Sequence, residues 1–231
     1  MKIINLIENT EGASGCAAAH GLSFYVETKS HKLLVDLGPS AQTLENAAHL
    51  GVDLEAVDTV ILSHGHYDHS GGIMPFAGIN SKAKIYMQCS ATDDYYSDVN
   101  AEDTEDGYRF IGIDGRIQDL PQVVFVDGDL KIDDELFIFT IDERSHPLPS
   151  TNDRLFVKKE GEYIHDDFGH EHFVVVSDEG KNVLLSGCAH NGILSILDAY
   201  KDKFGGEPDI AISGFHLMRE GDYTPEEVAE I

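Results

Sequence analysis

Residues 63 to 72 read SHGHYDHSGG and bring His64, His66, Asp68 and His69 into six positions just ahead of two glycines. Imidazoles crowded for structure alone are costly, because each charges near neutral pH and needs polar partners. A metal resolves the crowding, since a neutral imidazole nitrogen and a carboxylate both ligate zinc or iron. His64 and His66, two apart, suit a single metal held from an extended turn. Asp68 and His69 come from the following turn and can face a second metal roughly 3.5–4 Å away. A lone His-x-His would be a weak signal; four ligand-type residues in six, between a strand and Gly-Gly, are a strong one.

The elements that must position these residues are legible as short runs. VDTVILS leads into the histidines as a continuous apolar run, and NVLLSG repeats that character, as strands covered on both faces do. LSFYVET alternates, with Leu22, Phe24 and Val26 on one face. Further strands are expected at IINLI, KLLVDLG, AKIYMQ, QVVFVDGD, LFIFTID, RLFVKK, HFVVVSD and DIAISG, bounded by Gly, Asp, Asn and Pro. Two helices are expected. PSAQTLENAAHLG has Ser40 as its cap, and NGILSILDAYKDKFGG carries Ile193, Ile196, Leu197, Tyr200 and Phe204 on one stripe and stops at Gly205 and Gly206. Strands with helices against them predict an α/β or α+β chain. The acidic stretch from Asp93 to Asp106 reads as a solvated surface insertion, with a lid as the sharper alternative.

The 231 residues, 42% hydrophobic, suit one large domain over 1–231. No apolar run approaches the roughly 20 residues of a membrane span, and MKIINLIENT reads as a first strand rather than a leader. Three scattered cysteines, Cys16, Cys89 and Cys188, predict no disulfide framework and fit a reducing cytoplasm. Acidic residues number 42 against 16 basic ones, a net charge of −26. That field repels phosphate backbones, so nucleic acid ranks low and a small-molecule substrate ranks first. Self-association is left open.

The metal loop resembles that of the metallo-β-lactamase superfamily, in which His-x-His-x-Asp-His is the core motif, and the resemblance covers most of the chain. It implies an αβ/βα four-layer sandwich, two mixed sheets flanked by helices. Asp36 in VDLG sits where the family has an Asp that braces the metal loop. GHEHFVVV looks like the third motif, which makes His170 the third ligand of the first metal, with His172 as an alternative on the same strand face. VLLSGCAH resembles the strand that ends in a bridging Asp, with Cys188 in the Asp position, so the implied metal set is His64, His66, Asp68, His69, His170 and Cys188. Together with SGCAHNGI and SGFHL, these motifs are similar to a subgroup of hydrolases related to the dihydropterin phosphate synthase-like members.

The resemblance implies a metal-dependent hydrolase that directs a metal-activated hydroxide at a small phosphoester or related ester. Zinc is the expected metal, with two sites and with manganese or iron as substitutes. Asp68 would orient the hydroxide. His216 would protonate the leaving group or ligate the second metal, and His190, at a helix start, would touch metal or substrate. The competing readings are a mononuclear iron redox enzyme of the same fold and a non-catalytic metal-sensing domain. His31, His49 and His165 read as ordinary surface residues, and His20 and His146 as loop residues near the pocket. GDYTPEEVAEI opens like a helix, with Thr224 as cap and Pro225 first, and the subgroup continues past it to one more strand. A shortened chain with a weak second metal site is therefore expected.

Overall fold

The computed structural model describes residues 1–13, 15–99, 101–217, 224 and 228. In chain order the first strands are β1 (Lys2–Ile7), β2 (Ser23–Glu27), β3 (Lys32–Val35), β4 (Thr59–Ile61), β5 (Lys84–Gln88), β6 (Tyr95–Ser97), β7 (Arg109–Phe110) and β8 (Val123–Val126). They are followed by β9 (Leu130–Lys131), β10 (Leu136–Phe139), β11 (Leu155–Lys159), β12 (Glu162–His165), β13 (Phe173–Asp178), β14 (Lys181–Leu185) and β15 (Ile210–Ile212). The helices are α1 (Gln42–His49), α2 (Tyr67–Ser70), α3 (Ile73–Ile79) and α4 (Ile193–Phe204). The helix expected from Pro225 onward lies outside the described residues.

Two large mixed sheets and one small one result. The first runs β1-β2-β3-β4-β5-β8, the second β15-β14-β13-β10-β9, and the third β12-β11-β6-β7. β3, β4, β5 and β8 pair in parallel, as do β14 and β15. The period-2 alternation of each strand sets the layers. Leu33 and Val35 of β3 and Ile61 of β4 join Val174, Val176, Val183 and Leu185 in a core between the two large sheets. Their neighbours Leu34 and Val60 turn the other way, onto Leu44 and Ala47 of α1 and Ile73 and Phe76 of α3. On the far side, Phe173, Val175 and Leu184 pack against Ile196 and Tyr200 of α4. The order is helix, sheet, sheet, helix, which is why VDTVILS and NVLLSG lack a polar face. No helix among the described residues is long and apolar enough to cross a membrane.

Two local expectations differ in detail. Ser40 does not cap the first helix: Ala41 holds that position, and the Ser40 hydroxyl only accepts a 3.3 Å bond from the Gln42 N–H. The Asp93 to Asp106 stretch is not simply a solvated loop, because Tyr95–Ser97 pairs with β11 and Tyr95 is buried. The aromatic side chain outweighs its acidic neighbours by packing inward. The second helix ends as read, with Gly205 left-handed at φ 75°.

Candidate metal centre

β4 delivers the chain into the histidine loop, and one buried carboxylate pins that loop in place. Asp36, just past β3 and itself at φ 60°, accepts from the Ser63 N–H at 2.7 Å, the Ser63 hydroxyl at 2.7 Å and His69 Nδ1–H at 2.6 Å. The two glycines at the end of the loop are required by close approach. A Cβ on Gly71 would lie 2.0 Å from the Pro39 carbonyl oxygen, and one on Gly72 2.3 Å from that of Leu37. The loop is thereby clamped against the segment after β3, and α2 presents Asp68 and His69 from its first turn.

Three imidazoles converge. His64, His66 and His190 are all buried, and one ligand atom from each lies within 4.8 Å of the others. In all three rings Nε2 is buried without a hydrogen-bond partner. Such orphaned nitrogens are rare in a packed interior and call for a partner such as an ion. The other ring nitrogen of two of them is accounted for. The Ser63 hydroxyl gives its proton to Asp36 and so accepts from His64 Nδ1–H, at 2.9 Å. His190 Nδ1 meets Asn152 Oδ1 at 2.9 Å. Burial is the largest influence on all three, holding His64 and His190 well below the ordinary histidine range and His66 at about 3, so their lone pairs are available at neutral pH.

A second group adjoins the first. His69 Nε2 lies 3.1 Å from Cys188 Sγ and 3.4 Å from Asp68 Oδ2, and His64, His69 and Cys188 form a set of potential ligands. Cys188 also groups with His190 and His216, so its sulfur stands between two sets. Burial opposes charge on His69, but Cys188, Asp36 and Asp68 outweigh it and raise its pKa well above normal. Asp68 is drawn below the usual carboxylate range: burial would raise it, and His69, His66 and His20 prevail. His20 Nε2 lies 3.5 Å from Asp68 Oδ2 on the exposed side. His216, with φ 55°, is hydrogen-bonded through Nδ1 to Thr151 Oγ1 at 2.8 Å, and its ring centre is 4.8 Å from that of His190.

His170, the expected third ligand, and His190 both lie beside His66, and each falls in a group of potential ligands with it: His66, Asp166 and His170 in one, His64, His66 and His190 in the other. His170 is buried near His66, but its Nδ1 accepts from the Gly65 N–H at 2.9 Å, so Nε2 carries the proton it shares with Asp166 at 3.0 Å. With that hydrogen bonding both nitrogens are engaged, and the Tyr95 ring lies tilted by 36° at a centroid distance of 4.0 Å. His172, the alternative, has like His190 a buried Nε2 with no hydrogen-bond partner, but its Nδ1 meets Gln88 at 3.0 Å and it belongs to none of the ligand groups among the described residues. His31 is not an ordinary surface residue either, since it bridges Asp58 and Asp133 at 2.8 and 2.7 Å. His146 bonds Asp198 at the surface.

Two neighbours of His170, one of them inside GHEHFVVV, hold the loop that carries His190. Buried Glu171 accepts from the N–H groups of His190 and Asn191 at 2.9 and 2.8 Å. Phe168, at φ 55°, stacks on the His190 ring with centroids 4.7 Å apart and planes 11° from parallel. No sequence signal marked them, although the acid between two histidines at Glu171 was the available clue. Beside the cluster, Leu148, Asn152, Asp153, His165 and Asp166 line a cavity of about 370 Å³.

A family model described as the metallo-beta-lactamase superfamily matches residues 18–209. A Methanocaldococcus jannaschii protein named 7,8-dihydropterin-6-methyl-4-(beta-D-ribofuranosyl)-aminobenzene-5'-phosphate synthase is 28% identical over 240 residues, spanning 94% of this chain and 78% of that protein. An uncharacterized protein of the same organism is 27% identical over 209 residues, 89% of this chain and 75% of its own. The crystal structure of a metal-dependent hydrolase of the beta-lactamase superfamily superposes with a TM-score of 0.81 at 28% identity, covering 99% of this chain and 80% of that one. A quorum-quenching N-acyl homoserine lactone lactonase, at 16% identity and a TM-score of 0.51 over 88% of this chain and 82% of its own, shares the fold.

Proposed function

The chain belongs to the metallo-beta-lactamase superfamily, and from that premise we propose that it is a zinc-dependent hydrolase of small phosphoesters. The observation that carries the reading is the trio of buried, unpartnered Nε2 atoms on His64, His66 and His190. Those three residues would hold the first metal; His69 and Cys188, with Asp68 3.4 Å from His69, would hold the second. Imidazoles with a thiolate and a carboxylate suit zinc better than a hard cation, and a metal there would displace the protons that His69 and the Cys188 thiol carry in its absence. When bound, such a metal supplies a Lewis acid and lowers the pKa of an attacking water towards neutral.

The chain's own groups do the rest. Asp68, held ionised by His69 and His66, accepts a hydrogen bond from the attacking water and orients it. His216, held by Thr151, delivers a proton to the departing oxygen. Tyr95, Phe168 and the small sheet screen the histidines from bulk water and strengthen every charge interaction inside. The cavity lined by Asn152 and Asp166 adjoins the cluster and is sized for a small molecule. A phosphate-bearing substrate is supported by the name of one relative, whose product carries a 5'-phosphate.

Hydrolysis of bis(p-nitrophenyl) phosphate by the zinc-loaded chain tests this. Zinc-dependent turnover that Asp68→Asn lowers by about 100-fold or more, the range for a positioned acid–base group, is expected. Stoichiometric zinc with no hydrolysis of phosphoesters, or an equal rate in Asp68→Asn, would overturn it.

A further inference from the structure

The segment between β10 and β11 carries none of the family's motifs, yet it reaches the centre at one short turn. Residues Ser150–Arg154 form a single turn of 3-10 helix whose Thr151 and Asn152 are 5% and 4% exposed. Thr151 meets His216, and Asn152 meets His190 twice. We infer that Asn152 is a positioning residue for the metal centre, fixing which nitrogen of His190 faces the other two histidines.

The two contacts assign every hydrogen. The His190 carbonyl can only accept, so the amide nitrogen of Asn152 must face it, at 2.7 Å. Its Oδ1 therefore faces His190 Nδ1, at 2.9 Å, and can only accept. The proton of the neutral ring sits on Nδ1, and the lone pair sits on Nε2, the orphaned atom that groups with His64 and His66. Phe168 and Glu171 set the ring plane and the backbone, but neither touches Nδ1. Among the described residues, the side chain of Asn152 is the group that bonds Nδ1 and selects the tautomer. Metal-ligating histidines generally owe their orientation to such a partner, and losing it lowers metal affinity by about 10–100-fold.

This inference rests on His190 being a ligand, and two readouts separate the failure of one from the failure of the other. The first is the 15N spectrum of the histidine rings in the full chain at neutral pH, without metal. Asn152 requires His190 to carry its proton on Nδ1, and a proton on Nε2 would overturn the inference whatever the metal does. The second is zinc affinity, measured by competition with a chelator. Asn152→Leu is expected to weaken zinc by about 10–100-fold and to mix the tautomers. Asn152→Asp, which keeps the acceptor facing Nδ1 but loses the donor to the His190 carbonyl, should hold the Nδ1–H tautomer and weaken zinc less than Asn152→Leu does. Wild-type affinity and tautomer in Asn152→Leu would refute the role. A wild-type chain that binds no zinc but shows the Nδ1–H tautomer retires the hydrolase reading and leaves the positioning standing. Should Asn152→Leu fail to fold, the wild-type tautomer and Asn152→Asp still decide.

Discussion

His190 and His170 are both buried beside His66, and they differ in what their nitrogens face. His190 Nε2 has no hydrogen-bond partner among the described residues, whereas His170 is bonded at both ends, to Gly65 and Asp166. His190→Ala should therefore remove a ligand and weaken the first metal by more than about 100-fold, beyond the 10–100-fold of an outer partner. His170→Ala should fall inside that range, because it disturbs the Gly65 turn without removing a ligand. Isothermal titration of both variants with zinc checks the order of the two effects. Cys188 makes a different prediction. With Sγ 3.1 Å from His69 Nε2, Cys188→Asp should restore the carboxylate of the wider family, keep or tighten the second metal and abolish any sulfur-to-metal charge-transfer band of the cobalt form. A band that persists would place the thiol elsewhere.

At the level of elements, the loop after β4 is held by contacts that tolerate no added atom. Gly71→Ala would drive a Cβ to 2.0 Å from the Pro39 carbonyl, so a loss of about 3 kcal/mol or more in urea unfolding is expected, at the upper end for overpacking. The same region predicts a pH dependence. His66 and His172, held down chiefly by burial, have pKa values of about 3 against roughly 6.5 when unfolded. Between those values the unfolded chain binds more protons, so stability falls as pH drops below about 6.5, by about 2 kcal/mol for each at pH 5. His31 acts in the opposite sense: burial would lower its pKa, but Asp58 and Asp133 raise it. Its contribution is whole below the unfolded value and lost as pH rises through the raised one. Urea titrations of the metal-free chain from pH 8 to pH 5 should show the acid loss, and His172→Gln should reduce it. The strands and the metal loop were legible because period-2 burial and crowded ligands are local signals. The choice between His170 and His190 was not, since GHEH and GCAH each put a histidine near a strand end. What separates them is a hydrogen bond from Gly65, 105 positions away. Tyr95 was hidden for a similar reason, one inward ring among exposed acids.

Across the whole molecule, two sheets back to back place both metal-ligand groups where β4 and β14 end, at one rim of the sandwich. The chain carries a net charge of −26, which divalent cations at that rim would offset locally. The central claim is that His64, His66 and His190 share a metal. Metal content of the chain purified without added metal, measured by mass spectrometry alongside His64→Ala, His66→Ala, His190→Ala and His170→Ala, tests it most directly. Bound transition metal in the wild type and in His170→Ala, with loss from the first three variants, is the predicted result. Metal retained by His190→Ala and lost from His170→Ala would contradict it.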